Sequence, residues 1–322
     1  LALRIVRQAL QIKADRQARL IPAGQLGVKL TDSGAGLRQE LLLMPTLTNE
    51  ANAKLLQRFL VSAGVNLSNA AFNLKKMPSN AYLGLYLDSE GPSGVIKDLS
   101  PDETAYFRFL PMYYPYVLKQ DPDTFVVQFG GGISTAVALK SGSKHVTVAE
   151  GNPAILTAFR EDKGLRDFTG DILNNPKVSV IDYDGRLYVA HTKNRYDIID
   201  LSLADSAGLS SPGGFSIVEK YSYTREAMAA YMRALKPGGI LSVTLWNKEE
   251  PPKSVLKLYA TMAAAARDVN GPDIARDFYV VSSYLSTATV LYKQGGFTAA
   301  DIAKLNAHTK AMSRSEEHTS EL

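Results

Sequence analysis

From about residue 121 onward, apolar runs of four to six residues alternate with windows of helical periodicity, and this alternation narrows the fold more than any other feature. Strands covered by helices on both faces read as near-continuous hydrophobic runs, the pattern of a mostly parallel sheet. The predicted strands are Phe125–Phe129, Val146–Glu150, Val178–Asp182, Asp197–Leu203, Ile240–Trp246, Phe278–Ser282 and Thr287–Tyr292. Only residues 283–286 separate the last two, too few for a helical crossover, so they should form an antiparallel hairpin. Helix punctuation agrees: Asn152 can cap a helix with Pro153 at its first position, a core stripe of Ile155, Leu156 and Phe159, and Gly164 at its end. The reading is an α/β, doubly wound sheet of seven strands ending in an antiparallel hairpin.

The 322 residues, at ~150 per domain, suggest two domains, and 45% hydrophobic content is ample for packed cores. Residues 1–76 form an N-terminal segment of uncertain fold, with helical spacing at Leu3, Val6 and Leu10 and again at Leu55, Leu56, Phe59 and Leu60 before Gly64. Residues 77–120 read as a small β-rich module and substrate-side segment: Tyr82, Leu83, Leu85 and Leu87 alternate up to the turn-forming run 88–92. Residues 121–313 form the domain described above, with Ala263–Ala266 inside a helix. The start at Leu1, already within a basic periodic stretch from Arg4 to Arg19, suggests a missing upstream portion, and a basic juxtamembrane helix of this kind is compatible with membrane helices there. Residues 314–322 resemble a translated sequencing-adapter oligonucleotide and are set aside. Without them the net charge rises from +4 to +6, 35 basic minus 29 acidic residues.

That mild basic surplus does not imply a phosphate-binding stripe, so no nucleic-acid partner is expected. With no Cys, disulfides, iron–sulfur clusters and thiolate zinc sites are excluded, and the four His (His145, His191, His308, His318) lack ligand spacing, so no metal is expected. No apolar run approaches the ~18–20 residues of a membrane helix, and no leader opens the chain; the visible part reads as cytoplasmic.

Chemistry concentrates at strand ends. The first strand of the domain runs into Gly130, Gly131 and Gly132 and then a helix to about Lys140, so a ligand can lie against backbone amides at a helix N-terminus. The second strand ends in Glu150, twenty residues after Gly130, where an acid accepts hydrogen bonds from a ribose diol; the pair makes the fold Rossmann-like. The third ends in Asp182-Tyr183-Asp184-Gly185, where Asp184 and Gly185 either meet an adenine amino group or form an ordinary Asp-Gly turn. The fourth carries Asp197, Asp200 and Asp205 to the crevice mouth, where Asp200 or Asp205 could deprotonate an attacking amine. Tyr106 belongs either to an aromatic cluster with Phe107, Phe109, Tyr113, Tyr114 and Tyr116 or to a substrate pocket. Trp246 could stack on a ligand or cap the core.

Together, Gly130–Gly132, Glu150-Gly151-Asn152-Pro153, Asp184-Gly185, Tyr196-Asp197-Ile198-Ile199, Tyr223-Thr224-Arg225-Glu226 and the run from Leu235 to Leu241 resemble the spermidine synthase-like (polyamine aminopropyltransferase) branch of the S-adenosylmethionine-dependent methyltransferase fold. Residues 80–295 carry the resemblance, and Leu85-Tyr86-Leu87-Asp88 with Asp102-Glu103-Thr104-Ala105-Tyr106 resembles that family's lid and pocket-opening segment. The resemblance implies transfer of an aminopropyl or related group from S-adenosylmethionine or its decarboxylated form to a polyamine-like amine. Gly130–Gly132 would offer the backbone approach, Glu150 would hold ribose and Asp184 adenine, with Asp205 or Asp200 as base and Tyr106 and Ser202 toward substrate. A homodimer is compatible with it. The departures fall on the chemistry: Ile133 replaces the acid after the glycines, Ser202 takes the family's catalytic aspartate position, Phe107 and Arg108 follow Tyr106, and Ala227-Met228 replaces Phe-Tyr. Ser needs an activating partner to act as a base. The alternatives are a methyltransferase on an unknown acceptor and a catalytically degenerate nucleoside-binding domain.

Overall fold

A computed structural model describes residues 31–32, 38–39, 41–45, 82–87, 93–202, 221–246, 252–282 and 287–312. The helical spacing read at Leu3–Leu10 and Leu55–Leu60, the basic stretch Arg4–Arg19, Asp205 and residues 314–322 lie outside the described residues.

Among the described residues, five short strands precede the main domain. β1 (Thr31–Asp32) pairs with β2 (Arg38–Gln39), while β3 (Leu41–Pro45), β4 (Tyr82–Leu87) and β5 (Ser93–Ile96) form an antiparallel sheet in that order. The alternating residues near Leu85 thus form a strand as read, and the segment 1–76 supplies the strand beside it, Leu43 opposite Leu85. The 3-10 turns Glu103–Phe109 and Pro111–Tyr113 then lead into α1 (Tyr114–Leu118).

The main sheet is built from β6 (Asp123–Val126), β7 (His145–Ala149), β8 (Val178–Ile181), β9 (Tyr196–Ser202), β10 (Leu235–Trp246), β11 (Phe278–Ser282) and β12 (Thr287–Lys293). Each predicted strand is present. The order β11-β12-β10-β9-β6-β7-β8 makes a doubly wound, Rossmann-like sheet: β8, β7, β6, β9 and β10 run parallel, and β12 inserts antiparallel between β10 and β11. The chain reverses strand order across β6 and β9, and ligands bind beyond the carboxyl ends of strands at such a switch point.

The crossover helices are α2 (Ile133–Lys140), α3 (Pro153–Glu161), α4 (Lys163–Thr169), α5 (Gly185–Val189), α6 (Arg225–Ala234) and α7 (Lys253–Asn270), with α8 (Ala299–Ala311) at the end. Side chains serve as caps where the sequence provides them: Asn152 Oδ1 accepts from the Ala154 N–H at 3.0 Å, and the Thr298–Asp301 pair makes a reciprocal capping box at α8. Each such cap contributes ~1 kcal/mol. Gly164 does not end the helix begun at Pro153. That helix stops at Glu161 because Asp162 adopts extended backbone, and the Asp162 carboxylate accepts the Leu165 N–H at 2.7 Å to start α4, which closes at left-handed Gly170. Gly164 therefore sits inside a second helix, since a side-chain cap at Asp162 competes with helix continuation.

Both faces of the sheet are buried. Phe125, Ile199, Leu201, Leu241, Val243 and Val290 point toward α6 and α7, where Phe125 stacks against Tyr196 with ring centroids 5.0 Å apart. Full burial of such a ring contributes about 1.5–3 kcal/mol. Val126, Val146 and Val148 face α2, α3 and the small sheet, and Ile240, Tyr279 and Leu291 face α1 and α8. At the amino ends of the strands, Lys236 Nζ bridges Asp123 at 2.6 Å and Asp197 at 2.8 Å, tying β10 to β6 and β9. Among the described residues no helix is long and apolar enough to cross a membrane.

Candidate functional site

The loop from β6 to α2 is a bend of three glycines with three different roles. Gly130 has φ of +54°, and a side chain there would meet open space. Gly131 is pressed against the small sheet: a Cβ on it would lie 1.9 Å from the carbonyl oxygen of Gly94. Val95 of β5 bridges Gly132, and the Ile96 N–H donates to the Gly131 carbonyl at 3.4 Å. Gly132, at φ +84°, is the N-cap of α2 and offers no side-chain cap to that helix. The missing side chain at Gly131 is thus required by a neighbouring strand, and the open backbone lies at Gly130.

Glu150 follows β7 and is 2% exposed. Its Oε2 accepts the Gly130 N–H at 2.9 Å and its Oε1 the Asn152 N–H at 2.9 Å, so the carboxylate is clamped between the glycine bend and the start of α3. Burial raises its pKa above the usual carboxylate range, while the amides of Gly130, Asn152 and Gly151 oppose that rise. Each oxygen keeps acceptor capacity beyond its one amide.

The third loop lies alongside. A Cβ on Gly151 would sit 3.7 Å from the Cα of Asp184, so the loops after β7 and β8 touch. Asp184 is the N-cap of α5: its Oδ1 accepts the Leu187 N–H at 3.0 Å, with Arg186 Nε 3.9 Å away. One oxygen is thereby spent on structure, and the side chain remains 44% exposed. Gly185 is buried, and a Cβ on it would be 2.2 Å from the Val127 carbonyl oxygen, so glycine is needed there for α5 to approach β6. Exposed Tyr183 and Leu187 flank this corner.

Asp200 lies in the middle of β9 and is 3% exposed. In-register pairing places it beside Val126 of β6 and Ser242 of β10, and places Ser202 beside Thr244. Period-2 alternation then puts Asp200, Ser202, Ser242 and Thr244 on one face. Ser202 Oγ donates to Asp200 Oδ1 at 2.7 Å and lies 3.1 Å from Thr244 Oγ1, which is 2.9 Å from Thr289 Oγ1 on β12. Burial pushes the Asp200 carboxyl up to about 6, although the hydroxyls of Ser134, Ser202 and Ser242 steady its charged form. Oδ2 nonetheless has no partner within hydrogen-bond geometry. Ser134, in the first turn of α2, faces this carboxylate from the end of the glycine bend.

Tyr106 is 1% exposed, packed edge-on against Phe107 at 4.9 Å within the core that includes β5 and α2. Arg108 is exposed, and its carbonyl is in contact with His308 Nε2 of α8 at 3.1 Å. The structure thus brings Gly130, Glu150, Gly151 and Asp184 together at one rim, with Asp200 and Ser202 beneath it. Ser242, Thr244 and Thr289 were not picked out from the sequence. Their signal was polar residues at every second position of otherwise apolar strands: Asp200 and Ser202, Ser242 and Thr244, Thr287 and Thr289. No group of three or more metal-ligating side chains occurs among the described residues.

No family model matches the chain. Among curated proteins it is similar to the polyamine aminopropyltransferase of Nitrosomonas europaea, 28% identical over 176 residues, which cover 54% of this chain and 50% of that protein. Polyamine aminopropyltransferase 1 of Streptomyces coelicolor is 26% identical, with 54% of this chain and 31% of that protein covered. The chain spans about half or less of the length of these relatives. Among solved structures it is similar to spermidine synthase from Thermotoga maritima, with a TM-score of 0.45 at 19% identity over 68% of each chain. Human methyltransferase-like protein 13 in complex with SAH has a TM-score of 0.42 at 15% identity, over 63% of this chain and 90% of that one. The resemblance to polyamine aminopropyltransferases read from the sequence motifs is thus matched by curated relatives.

Proposed function

We propose that this chain binds a sulfonium nucleoside, S-adenosylmethionine or its decarboxylated form, at the rim formed by Gly130–Gly132, Glu150 and Asp184-Gly185, and transfers an aminopropyl or related group from it to a polyamine-like amine. The observation that carries the reading is the clamp of Glu150 by the Gly130 and Asn152 amides, which holds an acceptor at the open part of the bend. The residues fit such a donor: Glu150 retains lone pairs for a ribose diol, Gly130 has free space above it, and Asp184 has a second oxygen for an exocyclic amine. The names of the curated relatives support the aminopropyl arm. When bound, the sulfonium supplies the leaving group, so the protein's share is positioning and proton removal. Asp200 is the proposed base, with Asp205 the further candidate carboxylate in the sequence, and Tyr106 and Ser202 on the substrate side. No metal enters the proposed chemistry.

Ile133 favours a second reading, since it offers no charge to hold the aminopropyl ammonium: methyl transfer from the same site. Calorimetric titration with each donor separates the two. Binding of the decarboxylated donor with turnover of a diamine supports aminopropyl transfer; binding of S-adenosylmethionine alone rejects it. Bound nucleoside with turnover equal to a buffer blank across an amine panel would mark a degenerate domain.

A further inference from the structure

We propose that Ser202 is a catalytic proton relay: its hydroxyl accepts a proton from the attacking amine while passing its own proton to Asp200, so the buried carboxylate acts as base without touching substrate. The inference rests on the transfer reaction proposed above and assigns the path taken by the amine proton.

The direction of the relay follows from the hydrogen bond between Ser202 and Asp200. A hydroxyl has one proton and two acceptor lone pairs, whereas an ionised carboxylate only accepts. At 2.7 Å from Asp200 Oδ1, the Ser202 proton is committed to the carboxylate. Thr244 Oγ1, 3.1 Å away, is placed only to accept from the same Ser202 hydroxyl, a longer contact than the one to the carboxylate, and Thr244 lies 2.9 Å from Thr289. Ser202 is the donor in both contacts, its shorter one goes to Asp200, and its oxygen keeps its lone pairs for an incoming N–H. Asp200, Thr244 and Thr289 are each no more than 3% exposed, whereas Ser202 is half-buried, so the chain opens at Ser202. A hydroxyl oxygen with a free lone pair accepts an N–H. Asp200 Oδ2 has no partner in hydrogen-bond geometry, and the Ser134 and Ser242 hydroxyls that favour the charged form do not offset the rise caused by burial.

The step balances. An ammonium N–H bond breaks as its proton moves to Ser202 Oγ, and the Ser202 O–H bond breaks as that proton moves to Asp200 Oδ1. Ser202 is unchanged, the ammonium becomes a neutral amine and the carboxylate a carboxylic acid. The freed nitrogen pair then forms the new C–N bond while the C–S bond breaks with its pair left on sulfur, so the positive charge passes from sulfur to nitrogen.

The groups facing Asp200 are Ser134 from α2, Ser202 and Ser242 from the sheet and Tyr116 from α1. Burial, and next the charge of Asp200 itself, push the Tyr116 phenol well above its usual range, so it stays neutral through the range in which Asp200 titrates. No cation among the described residues contributes to that titration.

The test uses the full chain with Ser202→Ala, Ser202→Thr and Asp200→Asn, each checked for folding by circular dichroism and nucleoside binding. Without donor or amine, infrared titration follows the carboxyl band absent from Asp200→Asn. Its midpoint, near 6 in the wild type, rises about tenfold in proton affinity in Ser202→Ala, because a donor to the charged form is lost. With decarboxylated S-adenosylmethionine and linear diamines, Ser202→Ala and Asp200→Asn lower kcat by about 10²–10⁴-fold with KM within threefold, and Ser202→Thr restores activity to within tenfold. An unmoved infrared midpoint in folded Ser202→Ala overturns the relay whatever the turnover. An active wild type with Ser202→Ala within threefold overturns the relay and leaves the transfer reaction standing. A wild type that binds nucleoside but transfers to no amine overturns the transfer reaction, and the relay falls with it.

Discussion

Asp200→Asn is expected to stabilise the protein increasingly, relative to wild type, as pH rises from 5 to 7.5. The carboxyl is 3% exposed and its pKa is lifted by burial from 3.8 to about 6. Between those values the native state keeps a proton that the unfolded chain has already released. The contribution of Asp200 to wild-type stability therefore falls as pH rises from about 4 to about 6 and is level above, because the unfolded state binds fewer protons at this group in that window. A shift of about 2.2 pH units at about 1.4 kcal/mol each sets the whole effect near 3 kcal/mol. Over pH 5 to 7.5 the linkage relation leaves on the order of 1 kcal/mol, a few degrees in Tm. Asparagine cannot ionise, so the variant lacks this fall. Any constant offset from exchanging carboxyl for amide cancels when the two pH values are compared. Urea unfolding of both proteins at pH 5, 6 and 7.5 measures the difference. A gap between variant and wild type that stays flat or narrows with rising pH would show that the carboxylate is solvated or paired, and the buried-acid account would be wrong.

Gly131→Ala should cost about 3 kcal/mol, because its Cβ would overlap the Gly94 carbonyl and only backbone can yield, whereas Gly130→Ala should cost only the ~1–2 kcal/mol of left-handed strain; equal losses in denaturant would contradict the division of roles within the bend. Glu150→Gln leaves a backbone N–H of Gly130 or Asn152 facing an amide NH₂, so stability should drop by about 1–3 kcal/mol and calorimetric nucleoside affinity by at least about tenfold; unchanged affinity would remove Glu150 from the proposed donor site. Hydrogen bonds to Asp123 and Asp197 hold the Lys236 ammonium above its usual range, so the stability it contributes should be constant through neutrality and lost as pH rises through that elevated pKa. Lys236→Met should cost ~1 kcal/mol at low salt and less in 1 M salt, and a loss independent of salt would refute an electrostatic role.

Periodicity in the sequence was enough for the seven strands, the terminal hairpin and the glycine bend with an acid twenty residues later, because alternation of burial and turn chemistry are local properties of a chain. Helix ends were legible where a side chain caps them, as at Asn152, and misread at Gly164, where the deciding group was the Asp162 carboxylate two residues before. Tertiary structure alone decided the rest. It inserted β12 between β10 and β11, a choice of neighbour that no local signal encodes. It filled the space above Gly131 with the backbone of Gly94, so that a glycine suggestive of a ligand is held by a strand 37 residues earlier in the chain. It also joined Asp200 and Ser202 to Thr244 and Thr289, which are 42 and 45 residues apart along successive links of the chain. Strand register determines such contacts, and register is fixed by the packing of the whole sheet. The same serine that reads as a lost aspartate in one dimension acquires, in three, a carboxylate partner at 2.7 Å.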